Sequence, residues 1–287
     1  MGKKLSPKAK KRLRFWLIIL AVLIALTAWG FMMKTVRYKV KTDKLDKGLR
    51  IVFISDLHNC FYGGPDQSGI IDAVHDAAPD LVVFGGDVID MWGGTKHALT
   101  LIKALSSEYP CCYSPGNHEE MRSDVEDFYN KVRQMCPVLI GEDHADMTIN
   151  GQDIRLFGAI NANVCYKYST QLQECFDSLD EEHYNILVAH QPEDIDFYLG
   201  NSVDTHDMDF DLILSGHAHG GQWRIPKLLD QGLYAPQQGL FPLYTTGMYK
   251  YGKTVHIIST GLARPLRMIF IPRIFNRPEL SVIDINR

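Results

Sequence analysis

The sequence predicts an α/β fold, because short apolar segments rich in β-branched residues alternate with helical segments and each is followed by polar residues. Its 287 residues suffice for one large α/β domain or two small ones. Hydrophobic residues make up 46% of the chain, charged residues 22%, and the net charge is only -4. This composition is typical of a globular protein and gives no charge-based indication of nucleic-acid binding.

The N-terminal region predicts a basic tail (1–14), a transmembrane signal anchor (15–33) and a polar tether (34–48) ahead of a domain over 49–287. Segment 15–33 has no charged residue and is long enough to cross a hydrocarbon core of roughly 30 Å. A cleaved signal peptide is the alternative, but no convincing small-x-small cleavage site follows the apolar core.

The orientation of this anchor is not settled by charge, since lysine and arginine residues lie on both sides of it. A short basic tail ahead of a first apolar segment usually stays in the cytoplasm. We therefore expect a single-pass protein of the cell membrane whose globular domain is extracytoplasmic.

The six cysteines are an even number that would allow pairing in an oxidising compartment. Cys111 and Cys112 are adjacent in a predicted strand, where successive side chains point to opposite faces. We therefore interpret them as small buried hydrophobic residues. The chain contains no CxxC spacing typical of a zinc site.

The domain is expected to open with a βαβ unit. Segment 50–55 predicts a buried strand from its β-branched and aromatic content, and segment 81–84 repeats the pattern. Between them, 68–78 has apolar residues at helical spacing and is ended by Pro79.

The alternation of elements continues to the end of the chain. Helices are predicted over 97–107, 124–135 and 171–179, and strands over 111–114, 184–189, 211–215, 256–260 and 280–285. Short strands over 138–140, 146–149 and 154–159 predict a meander, with Asn150-Gly151 as a tight hairpin turn. Part of the sheet is therefore expected to be antiparallel.

Potential metal ligands follow the predicted strands, at the sheet edge where sites form in α/β proteins. They are Asp56, His58, Asp87, Asn117, His190, His217 and His219. Nitrogen and oxygen ligands without a thiolate favour divalent ions such as Mn²⁺, Fe²⁺ or Zn²⁺ over a structural zinc. A carboxylate can bridge two ions about 3.5–4 Å apart, so a two-metal hydrolytic site is feasible.

The candidate ligands occur in five blocks: Asp56-Leu57-His58, Gly86-Asp87-Val88-Ile89-Asp90, Gly116-Asn117-His118-Glu119, His190 and Gly216-His217-Ala218-His219. These blocks, in this order, resemble the signature of the calcineurin-like metallophosphoesterases. The resemblance covers 49–285 and implies two packed mixed β-sheets flanked by helices, an α/β/β/α sandwich. The apolar N-terminus, His219-Gly220-Gly221-Gln222 and segment 275–280 are similar to the membrane-anchored YkuE-like branch.

The resemblance implies a metal-dependent phosphoesterase, and we expect a phosphodiesterase. It assigns Asp56, His58 and His219 to one ion, Asn117, His190 and His217 to the other, and Asp87 to both. Two divalent cations are implied, with Mn²⁺ expected and Fe²⁺ or Zn²⁺ as alternatives. A hydroxide shared by the ions would attack phosphorus in line. His118 would protonate or stabilise the leaving oxygen, with Asp90 orienting its ring.

Alternatives remain open at this point. Asp90 would otherwise cap the segment that follows it. A nucleotide-glycolipid pyrophosphatase of the UDP-diacylglucosamine type, which the branch includes, is the second enzymatic hypothesis, and its substrate would be lipid- or cell-envelope-linked. A catalytically silent binding protein is the third hypothesis, although such relatives usually lose ligands and this chain has all seven.

Two further segments have more than one interpretation. Arg264, Arg267, Arg273 and Arg277, with the apolar residues 268–271, would form either an anion-binding or bilayer-facing lip or a solvated surface. The aromatic-rich loop 222–252 would either frame a substrate pocket or pack over the sheet edge. Because this loop directly follows the two histidines, we favour a pocket wall.

Overall fold

The computed structural model describes residues 6–140, 144–159, 165–200, 209–225, 227–264 and 273–287. One main sheet has five strands in the order β1-β13-β2-β3-β4: β1 (Lys34–Lys41), β2 (Leu49–Ile54), β3 (Leu81–Gly85), β4 (Cys111–Ser114) and β13 (Glu279–Asn286). The other has six strands in the order β11-β12-β8-β7-β6-β5: β5 (His144–Ile149), β6 (Gln152–Ala159), β7 (Tyr184–Ala189), β8 (Leu212–Ser215), β11 (Gly247–Tyr251) and β12 (Thr254–Ile258). A small hairpin pairs β9 (Tyr234–Ala235) with β10 (Gly239–Leu240).

Along the sequence, most of the helices come between strands of these sheets. They are α1 (Pro7–Gly30), α2 (Ser68–Ala77), α3 (Lys96–Ser106), α4 (Asn117–Glu120), α5 (Val125–Arg133), α6 (Cys165–Asp177) and α7 (Ile195–Tyr198). Short 3₁₀ turns follow at Pro192–Asp194 and His219–Gly221. The apolar residues of α2 and α3 face the sheet, as their helical spacing predicts.

The two sheets pack face to face over one apolar core, to which Phe53 of β2 and Leu214 of β8 both contribute. A second core joins α2, α3 and α5 to the outer face of the five-stranded sheet. A third joins α6 and α7 to the outer face of the six-stranded sheet. The predicted mixed α/β fold with two main sheets is therefore confirmed. Cys111 and Cys112 lie in different cores on opposite faces of β4, as predicted from their adjacency.

Strand direction brings the predicted ligands to one region. β2, β3 and β4 run parallel, and so do β6, β7, β8 and β12. Their carboxyl ends therefore meet at one edge of each sheet. The expected hairpin connects β5 and β6, with Asn150 and Gly151 both at positive φ as a type I′ turn requires.

The segment predicted as a polar tether differs from that expectation. Residues 34–41 form β1, an edge strand paired in parallel with β13 from Lys34 beside Glu279 to Lys41 beside Asn286. Its lysines and arginine alternate with partly buried residues such as Tyr38 and Val40. Charged residues of this kind are common on edge strands, where they oppose pairing with other chains.

The N-terminal helix α1 begins at Pro7 and so includes the basic residues that the sequence places ahead of an anchor. Across the residues that the structure describes, no helix is both long enough and apolar enough to span a bilayer. The transmembrane anchor predicted over 15–33 is therefore not confirmed.

Candidate metal centre

All seven predicted ligands lie in one buried site between the two sheets. The five-stranded sheet contributes Asp56, His58, Asp87 and Asn117 from the loops after β2, β3 and β4. The six-stranded sheet contributes His190 after β7, and His217 and His219 after β8. Each side chain follows a buried strand, so the sheet core fixes the position from which it projects.

The ligands form two adjacent groups. Ligand atoms of Asp56, His58 and His219 lie within 4.8 Å of one another, and those of Asp87, His190 and His217 do the same. Asp87 is near both groups, because its Oδ2 atom lies 3.2 Å from His190 Nε2 and 3.8 Å from His58 Nε2. A third combination, His58 with Asp87 and His118, meets the same distance limit.

The backbone at this site has an uncommon conformation. Asp56, His58, Asp87, His217 and His219 all have positive φ, between 47° and 65°. Side-chain-bearing residues rarely adopt this region, and each costs about 1–3 kcal/mol unless the surroundings enforce it. Hydrogen bonds between loops enforce it here: Asp56 N–H donates to Gly86 O and His58 N–H to Asp87 O, each at 2.9 Å.

Two glycines enclose the carboxylate of Asp56. A Cβ atom on Gly261 would lie 2.5 Å from Asp56 Oδ2, and one on Gly216 would lie 2.7 Å from Ser55 Oγ. The backbone N–H of His217 donates to Asp56 Oδ1 at 2.9 Å. The orientation of this carboxylate is therefore set by backbone that follows β8 and β12 of the six-stranded sheet.

His190 has a defined tautomer. Its Nδ1 atom lies 2.8 Å from the carbonyl oxygen of Gly85, which only accepts, so Nδ1 carries a proton and Nε2 is the nitrogen directed to the site. Burial lowers the pKa of His190, but attraction to Asp87 and Asp56 outweighs burial and raises it to about 10. In the neutral ring, Nε2 is the nitrogen available for a metal.

Three predicted ligand atoms are buried without a hydrogen-bond partner in the described part of the chain. They are Asp56 Oδ2, Asn117 Oδ1 and His190 Nε2. Buried polar atoms are nearly always partnered, so atoms of this kind within one site fit bound cations. The donors are nitrogen and oxygen atoms, which suit divalent ions. The residues therefore fit divalent metal ions, without indicating which metal.

The histidines of the His-x-His segment favour the neutral form that binds metal. Burial, with repulsion from His190, lowers the pKa of His217 to about 4. Burial and the positive charge of Arg273 hold the pKa of His219 well below its ordinary value. His217 Nε2 also lies 2.7 Å from Gln237 Oε1 and 3.7 Å from Glu193 Oε1, which brings two polar residues of other loops to the site.

His118 and Asp90 lie beside the ligands, at the more accessible side of the site. His118 Nδ1 lies 2.9 Å from Asp90 Oδ1, and its Nε2 lies 3.8 Å from Asp87 Oδ2. Burial lowers the pKa of His118, but the hydrogen bond to Asp90 and the charge of Asp87 outweigh it and raise the pKa. Asp90 Oδ1 also accepts from the N–H of Met91 at 2.8 Å, so the same carboxylate contacts the backbone of the next residue and the imidazole.

Glu119 is a residue whose role the sequence reasoning missed, although it belongs to the Gly-Asn-His-Glu block. Its buried carboxylate accepts hydrogen bonds from the backbone N–H groups of Asp87, Ile89 and Gly116, at 2.8, 3.0 and 2.9 Å. Glu119 thus fixes two ligand-bearing loops relative to each other. The signal in the sequence was a glutamate three residues after Gly116, the spacing at which a side chain reaches back to a helix start.

The predicted arginine-rich lip does not form a single surface. Arg273 is only 6% exposed, and its Nη2 donates to Thr260 O at 2.6 Å and lies 3.2 Å from His219 Nδ1. Arg264 stacks on Phe61, with its Cζ 4.3 Å from the ring centroid. Arg267 and 268–271 lie outside the described residues. Arg273 is therefore interior, because main-chain carbonyl groups supply the acceptors that its guanidinium needs.

Some aromatic residues of the loop 222–252 pack over the sheet edge, and others are exposed. Tyr244 and Tyr251 pack against the core formed by α6, α7 and the six-stranded sheet. Trp223 and Phe241 are exposed. Packing over the sheet edge therefore describes Tyr244 and Tyr251, whereas Trp223 and Phe241 remain available to surround a substrate.

Two packed mixed sheets with Asp, Asn and His ligands at their strand ends define a metal-binding α/β protein. The chain belongs to the calcineurin-like phosphoesterase family, whose model matches residues 49–221.

Three relatives illustrate the range of the family. An uncharacterized metallophosphoesterase of Helicobacter pylori strain J99 is 30% identical over 84% of this chain and 63% of its own length. The chain thus spans less than two thirds of that relative. YkuE, an uncharacterized metallophosphoesterase of Bacillus subtilis, is 25% identical over 88% of this chain and 86% of its own. A transmembrane protein with a metallophosphoesterase domain from Bos taurus is 26% identical over 75% of this chain and 48% of its own.

Proposed function

We propose that this protein is a phosphodiesterase that uses two divalent cations, with Mn²⁺ as the first candidate. The observation that carries the proposal is the pair of adjacent ligand groups, with Asp87 a member of one and within 3.8 Å of His58 in the other. The family supports hydrolysis of a phosphate ester, and the paired groups support two ions rather than one.

The residues that would hold the ions follow from the two groups. Asp56, His58 and His219 would hold one ion, Asn117, His190 and His217 the other, and Asp87 would contact both. When bound, such ions act as Lewis acids toward phosphoryl oxygens and lower the pKa of coordinated water. The protein's part is to keep these ligands buried and fixed in direction.

His118 is the proposed catalytic acid. Its ring is partly exposed, unlike the buried ligands, and lies 4.6 Å from the His58 ring, so it is beside the proposed metal centre. With Asp90 accepting from Nδ1–H, Nε2 is directed away from Asp90 and is available to give a proton to the leaving oxygen. The raised pKa keeps that proton on the ring nearer to neutral pH.

The test is hydrolysis of bis-p-nitrophenyl phosphate by the purified full chain with added Mn²⁺. We expect Asp87→Asn and His217→Ala each to abolish activity and to lower bound Mn²⁺ measured by mass spectrometry. His75→Ala, which removes a surface imidazole 41% exposed on α2, is the matched control and should retain both. Activity that survives both ligand substitutions would refute the two-metal proposal. Faster hydrolysis of p-nitrophenyl phosphate than of the diester would refute the phosphodiesterase assignment.

A nucleotide-glycolipid pyrophosphatase is the second candidate. The exposed apolar residues Trp223, Ile274 and Phe275 favour it, because they lie in loops next to the His-x-His segment. A lipid-linked pyrophosphate offered in detergent micelles would distinguish the candidates, since this hypothesis requires it to be hydrolysed faster than the soluble diester.

We further propose that α1 attaches the protein to a membrane. Its side chains Phe15, Trp16 and Ile18 are more than half exposed, and basic residues occupy its first two turns. The bovine relative is named as a transmembrane protein, which gives the proposal additional support. Loss of vesicle co-sedimentation after removal of residues 1–30 is the expected result, and unchanged co-sedimentation would contradict attachment through α1.

A further inference from the structure

A surface patch of six apolar residues lies beside the candidate metal centre. We call it the apolar rim, and it consists of Trp29, Trp223, Ile225, Leu228, Ile274 and Phe275. Each is more than one third exposed, with Leu228 at 75%. Exposed apolar residues that are grouped in this way mark interaction surfaces more often than scattered ones do.

Backbone and ring contacts connect the members of the apolar rim. Trp223 and Ile274 form an isolated parallel β-bridge, and Arg224 N–H donates to Ile274 O at 2.9 Å. The Leu228 N–H donates to Ile225 O at 3.0 Å. The rings of Trp29 and Phe275 lie 6.5 Å apart. The rim therefore joins three segments that are distant in sequence.

The apolar rim is fixed to the metal centre by the residue that follows Phe275. Asn276 Nδ2 donates to His219 O at 2.6 Å and to Gln222 O at 3.2 Å. A Cβ atom on Gly220 would lie 2.5 Å from Asn276 Oδ1, so the two segments are in close contact. Whatever the rim contacts is therefore held next to the site.

The same segment is fixed to the C-terminal end of α1. Arg277 Nε donates to Met32 O at 2.8 Å, and its Nη2 donates to Met33 O at 2.9 Å. The Arg277 guanidinium also lies 5.4 Å from the Trp29 ring centroid. These contacts join the last turn of α1 and the residues after it to the segment that contains Phe275.

The properties of α1 indicate what covers the rim. Exposed apolar side chains occur at consecutive positions of the helix, from Phe15 to Ile18, so they point to all sides of it. A groove on a protein would cover one face of such a helix, whereas lipid covers every face. Basic residues at Lys8, Lys10, Lys11, Arg12 and Arg14 complement anionic headgroups.

We infer that the apolar rim is a lipid-docking surface that places the metal centre against the headgroup layer of a membrane. The inference rests on the attachment through α1 proposed above and extends it from the helix to the catalytic domain. Trp29 and Phe275 link the two parts, and aromatic side chains are favoured at the boundary between headgroups and acyl chains.

Tryptophan quenching by brominated lipid tests the inference. The full chain is reconstituted into phosphatidylcholine and phosphatidylglycerol vesicles, with the phosphatidylcholine acyl chains either plain or brominated. Three variants each contain a single tryptophan: Trp223 alone, Trp16 alone, or Lys253→Trp, with the other tryptophans replaced by phenylalanine. Lys253 is exposed in the turn before β12, at the opposite end of the sheet from the site, and provides the control.

The expected result is strong quenching and a blue-shifted emission for Trp223, and neither change for Lys253→Trp. Quenching of Trp16 without quenching of Trp223 would overturn the docking surface while leaving attachment intact. Absence of quenching at Trp16 would show that the attachment itself fails. Neither measurement depends on catalysis. A failure of the proposed enzymatic activity can therefore be distinguished from a failure of membrane docking.

Substitutions within the apolar rim provide a second measurement. We expect Leu228→Ser and Phe275→Ser to reduce the quenching of Trp223. Leu243→Ser removes an exposed leucine outside the rim and should leave quenching unchanged. Equal quenching in all variants would overturn the inference. A blue-shifted Trp223 in lipid-free protein, with a doubled mass by light scattering, would assign the rim to a second copy instead.

Discussion

The carboxylate of Glu119 accepts a hydrogen bond of 2.8 Å from the backbone N–H of Asp87, the candidate ligand that lies near both ligand groups. The same carboxylate accepts from Gly116, directly before Asn117. One buried side chain outside the ligand set thus positions ligands from two loops. A carboxylate is suited to this role because its oxygens only accept, and an amide of the same shape has one oxygen and two donors.

Glu119→Gln is therefore expected to destabilise the protein by about 1–3 kcal/mol for each backbone donor left without an acceptor. Metal affinity should fall with it, because the loops of Asp87 and Asn117 lose their common support. Urea denaturation and bound-metal analysis measure the two effects. Glu126→Gln, on the exposed surface of α5, is the matched control. Equal stability of the two variants would contradict the role of Glu119.

His118→Asn is expected to lower kcat by about 10² to 10⁴-fold while leaving bound metal unchanged, because His118 is placed as an acid and not as a ligand. Asp90→Asn should have a smaller effect in the same direction, since the carboxamide keeps contact with Nδ1 but loses the charge. Loss of metal from His118→Asn would instead assign His118 to the ligand combination with His58 and Asp87.

Gly261→Ala is expected to displace Asp56 and reduce metal binding, because the new Cβ atom would lie 2.5 Å from Asp56 Oδ2. Gly239→Ala is the control for backbone conformation. Gly239 has φ of 73°, close to the 69° of Gly261, but its Cβ atom would meet nothing within 4 Å. Both variants incur the conformational cost, and only Gly261→Ala should lose metal. Equal metal content in the two would show that the contact with Asp56 is unimportant.

His256 predicts a pH dependence of stability. Burial lowers its pKa to about 3, while its Nε2 lies 2.9 Å from Ser215 Oγ. As pH falls below about 6.5, the unfolded chain binds a proton at this position and the folded chain does not until near 3. The contribution of the neutral His256 to stability is therefore fully present above about pH 6.5. It is lost progressively as the pH falls towards about 3.

His256→Gln should remove that part of the acid sensitivity, so its free energy of unfolding should approach the parent value as pH is lowered from about 7.5 to about 5. Denaturant titrations of both proteins across this range make the comparison, with His75→Gln as the control for a surface histidine. Parallel curves for parent and His256→Gln would contradict the buried, neutral state of His256.

The grouping of the seven candidate ligands was predictable because each follows a short buried strand, and parallel strands bring their carboxyl ends together. Local pattern was sufficient for the hairpin at Asn150-Gly151 and for the opposite faces of Cys111 and Cys112. These features depend on residues near one another in sequence.

Features that depend on distant pairing were not predictable. The lysine-rich segment of β1 has the composition of a linker and becomes a strand only through pairing with β13, more than 200 residues later. Arg273 was expected at a surface, because sequence alone does not reveal that Thr260 O and Gly261 O lie within reach of its guanidinium. In both cases the partner lies outside any local window.

The hydrogen bond between His190 and the Gly85 carbonyl crosses from one main sheet to the other, and so does the bond from His217 N–H to Asp56. Each ion of the proposed centre would likewise draw ligands from both sheets. An ion bound in this way binds the folded chain and not the unfolded one, so its concentration enters the folding equilibrium directly. Chelation should therefore lower the free energy of unfolding of the folded chain as well as its activity. The supply of metal would then help to determine how much folded protein persists in a cell.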